Sequence, residues 1–179
     1  MSKRLPSPEE AVRILRETGC SPQVIRHCKA VAEVAIHIAS KCAMNGIPVD
    51  TQLVRIGALL HDIGRSKTHS VHHVAVGAEI GRSLDLPASV ISIVERHVGG
   101  GISADEASEL GWPNRSHIPE TLEEKIVTYA DKLIDNAKIV PIEETIQKLK
   151  KRLGSDHPTI KRVEDLHREM SNLCQKRSR

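Results

Sequence analysis

Hydrophobic residues recur at intervals of three and four along most of this chain, which is the spacing of the buried face of an α-helix. The clearest example lies within residues 22–46, where the predicted buried stripe consists of Val24, Cys28, Val31, Val34, Ala35, Ile38 and Cys42. No segment shows the alternation of apolar and polar residues that is typical of a half-buried β-strand. The pattern therefore predicts an all-α fold.

Capping residues, prolines and glycines mark the ends of the predicted helices. Ser7-Pro8 and Ser21-Pro22 each supply an N-cap followed by a first-turn proline. Together such signals predict a bundle of about seven to eight helices, over residues 8–19, 22–46, 51–63, 71–84, 87–98, 119–139, 141–153 and 158–175. The stretch 99–118, rich in glycine and proline, is predicted to be a long irregular loop, and loops of this length tend to be functional.

We expect residues 1–179 to form a single domain, with a helical core over about 21–139 and C-terminal helices over about 141–175. The 26 basic and 23 acidic residues give a formal net charge of only +3, and aromatic residues make up 1%. Nucleic-acid binding is therefore not favoured, although a phosphorylated substrate would not be repelled. The basic segments 148–152 and 176–179 are predicted to be solvated surface.

The sequence has no apolar run close to the roughly 18 residues that a membrane span needs, and no signal-peptide pattern. No membrane association is expected, and the default interpretation is a cytoplasmic protein. A homo-oligomer is compatible with the sequence.

Histidine is the unusual component of the composition, with ten copies. The imidazoles and carboxylates that fall on predicted buried faces or helix ends are His27, His61, Asp62, His73, His97 and Asp131. One buried histidine is usually a hydrogen-bonded core residue, but a buried carboxylate is costly unless it is paired or binds a metal. No inward lysine or arginine is predicted to pair with this set. A shared divalent cation, which takes neutral imidazole and ionised carboxylate as ligands, would satisfy all six.

A family resemblance becomes visible at His61-Asp62-Ile63-Gly64. With His27 before it and Asp131 after it, within Tyr-Ala-Asp-Lys-Leu, the motif order resembles that of the HD-domain (HDIG-type) metal-dependent phosphohydrolases. The resemblance covers roughly residues 21–139 and implies that His27, His61, Asp62 and Asp131 are metal ligands.

Members of that family with two metal ions add two histidines between the His-Asp pair and the last aspartate, where His73 and His97 stand. In this respect the chain is similar to the bacterial HD hydrolases of dinucleoside tetraphosphates. His72 competes with His73 for the first position. We prefer His73 because Gly77 and Ile80 share its predicted buried stripe. No glycine-tyrosine-proline signature follows, which disfavours the cyclic-di-nucleotide subgroup.

The resemblance implies a two-metal site in which Asp62 bridges the ions, with His27, His61 and Asp131 on the first and His73 and His97 on the second. Ligands without thiolate suit Fe or Mn best, with Zn, Ni or Co as alternatives. The expected activity is that of a phosphomonoesterase or phosphodiesterase on a nucleotide or a related small phosphate ester. The alternative is a catalytically inactive HD-like module that senses nucleotides or binds a partner.

Basic residues near the motif are candidates for substrate contact. Arg65 follows the motif directly and is predicted to hold phosphate, with Lys67 and His69 in the same loop and Arg96 beside His97. A solvated loop or a salt bridge is the alternative for each of them. Asp135 is expected either to orient a ligand histidine or to pair with Lys132 or Lys138. The remaining singled-out histidines, His37, His117, His157 and His167, are predicted to have no functional role.

Overall fold

The computed structural model describes residues 4–175, and most of these residues are helical, which confirms the all-α fold class. The α-helices of this part of the chain are α1 (Pro8–Glu17), α2 (Pro22–Met44), α3 (Thr51–Leu60), α4 (His73–Ser83), α5 (Ala88–Arg96), α6 (Ala104–Glu109), α7 (Leu122–Lys132), α8 (Ile142–Leu153) and α9 (Pro158–Cys174). Two 3-10 turns cover Ile63–Ser66 and Val98–Gly100. The basic segment 176–179 lies outside the described residues.

The helix predicted over residues 119–139 is shorter than expected. It ends at Lys132, and a small antiparallel hairpin follows, with β1 (Ile134–Asp135) paired to β2 (Lys138–Ile139). The turn between these strands places Asn136 and Ala137 at positive φ, which a helix does not allow. Ile134 is buried in the hairpin, so its apolar spacing imitates the continuation of the helix.

The stretch 99–118 is also more ordered than the prediction of an irregular loop. It contains the short helix α6, which begins with a capping box: Ser103 caps the Glu106 amide, and the Glu106 side chain accepts from the Ser103 amide. A local polar signal of this kind starts a helix without a long apolar stripe, which is why hydrophobic spacing missed it.

Helix α2 lies at the centre of the bundle and packs against α3 and α7. Every residue of its predicted stripe is buried except Val34, which is partly buried. Most of the buried apolar side chains form one cluster that extends from Ala11 in α1 to Met170 in α9. The C-terminal helices therefore share the core of the remainder of the chain.

Gly64 brings the turn after α3 into direct contact with α4. A Cβ atom at this position would lie 1.9 Å from the carbonyl oxygen of His73 and 2.6 Å from the amide nitrogen of Gly77. Only glycine fits there, because the clash would be with backbone rather than with a flexible side chain. The close approach fixes the position of the His-Asp pair relative to the start of α4.

Candidate metal centre

The structure brings all six predicted metal-binding residues to one place, because the ends of several helices converge there. His27 is near the start of α2, and Asp131 is the penultimate residue of α7. His61 caps the C-terminus of α3, His73 begins α4, and His97 caps the C-terminus of α5. Asp62 follows His61 and is almost completely buried.

The three most buried imidazoles, His61, His73 and His97, are oriented in the same way. Each donates its Nδ1–H to the backbone carbonyl three residues earlier, and a carbonyl oxygen only accepts. The donor–acceptor distances are 2.7 Å to Ala58, 2.7 Å to Ser70 and 2.9 Å to Val94, respectively. In the neutral form of each ring, the unprotonated Nε2 therefore faces the cluster, which is the orientation of a metal-ligating histidine.

Hydrogen bonding among the buried atoms of the cluster is incomplete. His73 Nε2 lies 3.1 Å from His97 Nε2, and burial lowers the pKa of His97 to about 4, so that ring is neutral. His61 Nε2 and Asp62 Oδ1 are buried with no hydrogen-bond partner among the described residues. Unsatisfied acceptors that converge in this way fit a bound cation.

The two oxygens of Asp62 face different histidines. Oδ2 lies 3.8 Å from His27 Nε2 and 3.7 Å from His61 Nε2, while Oδ1 lies 3.0 Å from His73 Nε2 and 3.4 Å from His97 Nε2. Burial acts to raise the pKa of Asp62, but the charge of the neighbouring His61, whose own pKa is raised, outweighs it, and the pKa of Asp62 lies well below its ordinary value. A carboxylate with Oδ2 toward His27 and His61 and Oδ1 toward His73 and His97 fits a ligand that two metal ions would share.

Asp131 lies beside His27 and His61, the two histidines that Asp62 Oδ2 also faces. Its Oδ1 lies 3.0 Å from His27 Nε2 and 3.6 Å from His61 Nε2. Burial raises its pKa, but Lys132 and these two imidazoles lower it by more, so its pKa stays well below the ordinary value. For His61 the balance runs the other way: burial lowers its pKa, and the neighbouring Asp62 raises it well above the usual value. The carboxylates thus favour positive charge at His61 Nε2, which a bound metal ion would supply in place of a proton.

Two groups of donor atoms are compact enough to hold an ion, with all atoms of a group within 4.8 Å of one another. One consists of His27, His61 and Asp131, and the other of His61, Asp62 and His97. The residues present therefore fit a divalent transition metal. The number and identity of the ions stay predictions.

The expectation that no cation pairs with the carboxylates is wrong. Arg65 Nε donates to Asp62 Oδ2 at 2.6 Å, and Lys132 Nζ lies 2.5 Å from Asp131 Oδ2. Asp135 was expected either to orient a ligand histidine or to pair with Lys132 or Lys138, but it pairs with Lys148 at 2.7 Å. The side chain of Lys132 instead folds back beside Asp131, where it is only 12% exposed. Sequence reasoning missed it because a lysine one position after a ligand lies on a different helix face.

The structure places His73, and not His72, in the cluster. His73 is buried, whereas His72 is exposed and its Nδ1 accepts a hydrogen bond from Trp112 Nε1 at 2.8 Å. This bond ties the segment after α6 to the start of α4. His117, predicted to be without a role, is buried and packs edge-on against Trp112.

Arg96 does not join the cluster, and of its two interpretations, substrate contact or salt bridge, the structure shows the salt bridge. Its Nη1 lies 2.8 Å from Glu120 Oε2 and 3.2 Å from Glu124 Oε2, and it donates to the carbonyl of Ile118. These contacts make Arg96 a structural ion-pair residue that anchors the segment before α7. Lys67 is exposed and lies outside both cavities described next, whereas His69 lines both.

Two cavities open onto the cluster. The larger, about 520 Å³, reaches His73, His97 and Asp131 and extends to α6, α8 and α9. The smaller, about 310 Å³, reaches His27, Asp62 and Asp131 and extends to the start of α2. Arg65, His69 and Asp131 line both. His157, predicted to have no role, lines the far end of the larger cavity.

Comparison with known proteins identifies the family. The sequence profile of the HD domain matches residues 24–136, so the chain belongs to the HD domain family. An uncharacterized protein of Methanocaldococcus jannaschii is 50% identical over 165 residues, which cover 92% of this chain and 97% of that protein.

A tRNA (cytidine(56)-2'-O)-methyltransferase of Picrophilus torridus is 38% identical over 172 residues, or 96% of this chain and 48% of that protein. The chain thus spans about half the length of this relative. Among solved structures, the HD domain of the L. monocytogenes phosphodiesterase PgpH, in complex with cyclic-di-AMP, has a TM-score of 0.52 at 20% identity. The match covers 94% of this chain and 99% of that one, and it supports the fold. Among the described helices, none is long and apolar enough to cross a membrane.

Proposed function

We propose that this protein is a metal-dependent phosphohydrolase that acts on a nucleotide or a related small phosphate ester. The observation that carries the proposal is the convergence of buried imidazole Nε2 atoms on the two ionised carboxylates of Asp62 and Asp131. Such an arrangement is costly in a protein core unless a cation binds there.

The donors divide between two ion positions. His27, His61 and Asp131 would hold one ion, His73 and His97 the other, and Asp62 would contribute one oxygen to each. Divalent ions at these positions, with Fe or Mn the best match to the ligands, would supply Lewis-acid polarisation of a phosphoryl group and an activated water.

Two cationic side chains, those of Arg65 and Lys132, flank the two carboxylates. Arg65 contacts Asp62 from one side and is 29% exposed, so part of its guanidinium faces the cavities. Lys132 contacts Asp131 and lines the larger cavity. Their positions support a role in holding phosphoryl oxygens, which a planar guanidinium does with paired hydrogen bonds.

The size of the larger cavity favours a small substrate over a polymer. Its volume of about 520 Å³ falls within the range of small-molecule sites. Ile102, Leu110 and Leu149 contribute an aliphatic wall that could hold the organic part of a nucleotide without aromatic stacking.

The test is a substrate screen with protein loaded with Mn²⁺ or Fe²⁺, against nucleoside mono-, di- and triphosphates, dinucleoside polyphosphates and cyclic nucleotides. We expect phosphate or nucleotide release that stops with EDTA and is absent in Asp62→Asn. Nucleotide binding without any turnover in the metal-loaded protein would favour the inactive sensing module instead.

A second candidate is an RNA-associated role, favoured by the similarity to half of a tRNA methyltransferase. The formal net charge of +3 provides little electrostatic attraction for a polyanion. Fluorescence anisotropy with labelled tRNA at increasing salt would test it, and micromolar affinity with a steep salt dependence would favour this candidate.

A further inference from the structure

The metal-binding residues lie at the junction of two cavities rather than at the bottom of one. Asp131 lines both cavities, together with Arg65 and His69. His61, in contrast, is completely buried and lines neither. A phosphate held at this junction would have open space on two sides.

The histidines that face one oxygen of Asp62 line one cavity, and the histidine at the cavity rim that faces the other oxygen lines the second cavity. His73 and His97, which face Oδ1, line the larger cavity. His27, which faces Oδ2, lines the smaller cavity with Asp62 itself. These histidines, which face the two oxygens of Asp62, therefore line different cavities.

The two cavities differ in chemistry. The larger combines the aliphatic side chains of Ile102, Leu110 and Leu149 with charged ones such as Glu106 and Arg152, which together suit a base with its apolar faces and polar edge. The smaller has a polar rim from Ser21, Gln23 and Asn136, which suits a sugar or another hydroxyl-bearing group. A phosphomonoester has one organic substituent and would leave one cavity empty.

Resting on the proposed function, we propose that the substrate is a phosphodiester whose two organic substituents occupy the two cavities, so that the protein is a phosphodiesterase rather than a phosphomonoesterase. Water oxygen bonds to phosphorus, and the bond from phosphorus to one ester oxygen breaks. The leaving oxygen takes up a proton, so the products are one phosphomonoester and one alcohol. Each cavity then releases its own product.

The first test compares bis(p-nitrophenyl) phosphate with p-nitrophenyl phosphate on the same metal-loaded protein. We expect kcat/KM for the diester to exceed that for the monoester by about tenfold or more, because only the diester fills both cavities. Equal or faster hydrolysis of the monoester would overturn the inference and leave the proposed function standing. Hydrolysis of neither compound, nor of any substrate in the broader screen, would count against the proposed function itself.

The second test fills each cavity in turn. Gln23→Trp adds bulk at the exposed rim of the smaller cavity, and Arg26→Trp is its control, on an exposed position of the same helix that lines neither cavity. Leu153→Trp adds bulk to the larger cavity. Its control is Lys151→Trp, at an exposed position of the same helix that lines neither cavity.

Each cavity-filling variant should lower kcat/KM for the diester by about tenfold or more and for the monoester by less than about twofold, because the monoester can use the remaining cavity. Both control variants should match the unmodified protein. Equal losses on the two substrates would contradict the two-cavity arrangement.

Binding gives a readout that does not depend on turnover. Isothermal titration calorimetry would use a dinucleoside bridged by a single phosphinate, in which carbon replaces both ester oxygens so that neither organic substituent can be hydrolysed from phosphorus, and the corresponding mononucleotide. Gln23→Trp should weaken binding of the bridged compound by about tenfold and leave the mononucleotide unchanged. Unchanged affinity for the bridged compound in both cavity-filling variants would overturn the inference.

Discussion

The Nε2 atoms of His73 and His97 lie 3.1 Å apart, and neither carries a proton when the rings are neutral, because each ring donates its Nδ1–H to the backbone. Two lone pairs at this distance repel each other. A cation that both nitrogen atoms coordinate replaces the repulsion by attraction. Metal binding should therefore stabilise the fold as well as provide the chemistry.

We expect metal loading to raise the melting temperature. A free metal concentration of about 100 Kd contributes about 2.7 kcal/mol to the free energy of unfolding when the unfolded chain does not bind metal. For a chain of this size that corresponds to a shift of roughly 5–10 °C. Differential scanning calorimetry with Mn²⁺ and with EDTA measures the shift, and identical melting curves would contradict a resident metal site.

His73→Ala should reduce bound metal toward one equivalent per chain, because it removes a donor from the second set. His72→Ala is the matched control, since His72 is exposed and bonded to Trp112 rather than to the cluster. Inductively coupled plasma mass spectrometry after loading and desalting gives the metal content. Loss of metal in His72→Ala but not in His73→Ala would show that His72, rather than His73, is the ligand.

Asp62→Asn keeps the shape of the side chain but removes the charge that faces both sets of histidines. We expect activity to fall by at least about 10³-fold, because both ion positions lose an anionic ligand. Metal content should fall as well, and the circular dichroism spectrum should remain helical. A folded variant with near-normal turnover would disprove the catalytic assignment.

Arg65→Ala and Arg96→Ala should separate a site residue from a structural one. Arg65→Ala is expected to lower kcat/KM by about 10- to 1,000-fold, and lysine at this position should restore only part of it. Arg96→Ala should leave kcat/KM unchanged but lower the melting temperature by roughly 2–8 °C, because the almost buried Glu124 loses its cation. The reverse result, with kinetic loss only in Arg96→Ala, would restore Arg96 as a substrate contact.

Gly64→Ala should be the more damaging of two glycine substitutions. Its Cβ would meet the backbone of His73 and Gly77, whereas a Cβ at Gly57 would meet the side-chain end of Ile93, which can move. We expect Gly64→Ala to lower the free energy of unfolding by about 3 kcal/mol or more, and Gly57→Ala by less. Urea denaturation measures both. Equal losses would show that the backbone contact at Gly64 relaxes easily.

The helical stripes and the position of the six donors could be predicted from the sequence, because both depend on local spacing and on a short motif. His73 was separable from His72 for the same reason: only one of two adjacent helical residues can lie on the buried face. The start of α6 could also be predicted from the sequence, because Ser103 and Glu106 have the spacing of a capping box.

Other features depend on contacts between distant segments and have no local signal. The ion pairs of Arg96 with Glu120 and Glu124 span more than 20 positions in the chain. Asn136 and Ala137 both have positive φ in their turn, and neither residue type signals this conformation in the sequence. The two cavities exist only because separate helices meet, so their shape could not be predicted from residue spacing.

The far wall of the larger cavity comes from α8 and α9, which lie beyond the residues matched by the family profile. All six donor residues belong to the matched part of the chain. A substitution in α8 or α9 can therefore reshape the space around a ligand without moving a donor. In evolutionary terms, the reactive centre can stay constant while selection acts on the C-terminal helices to change which molecules enter.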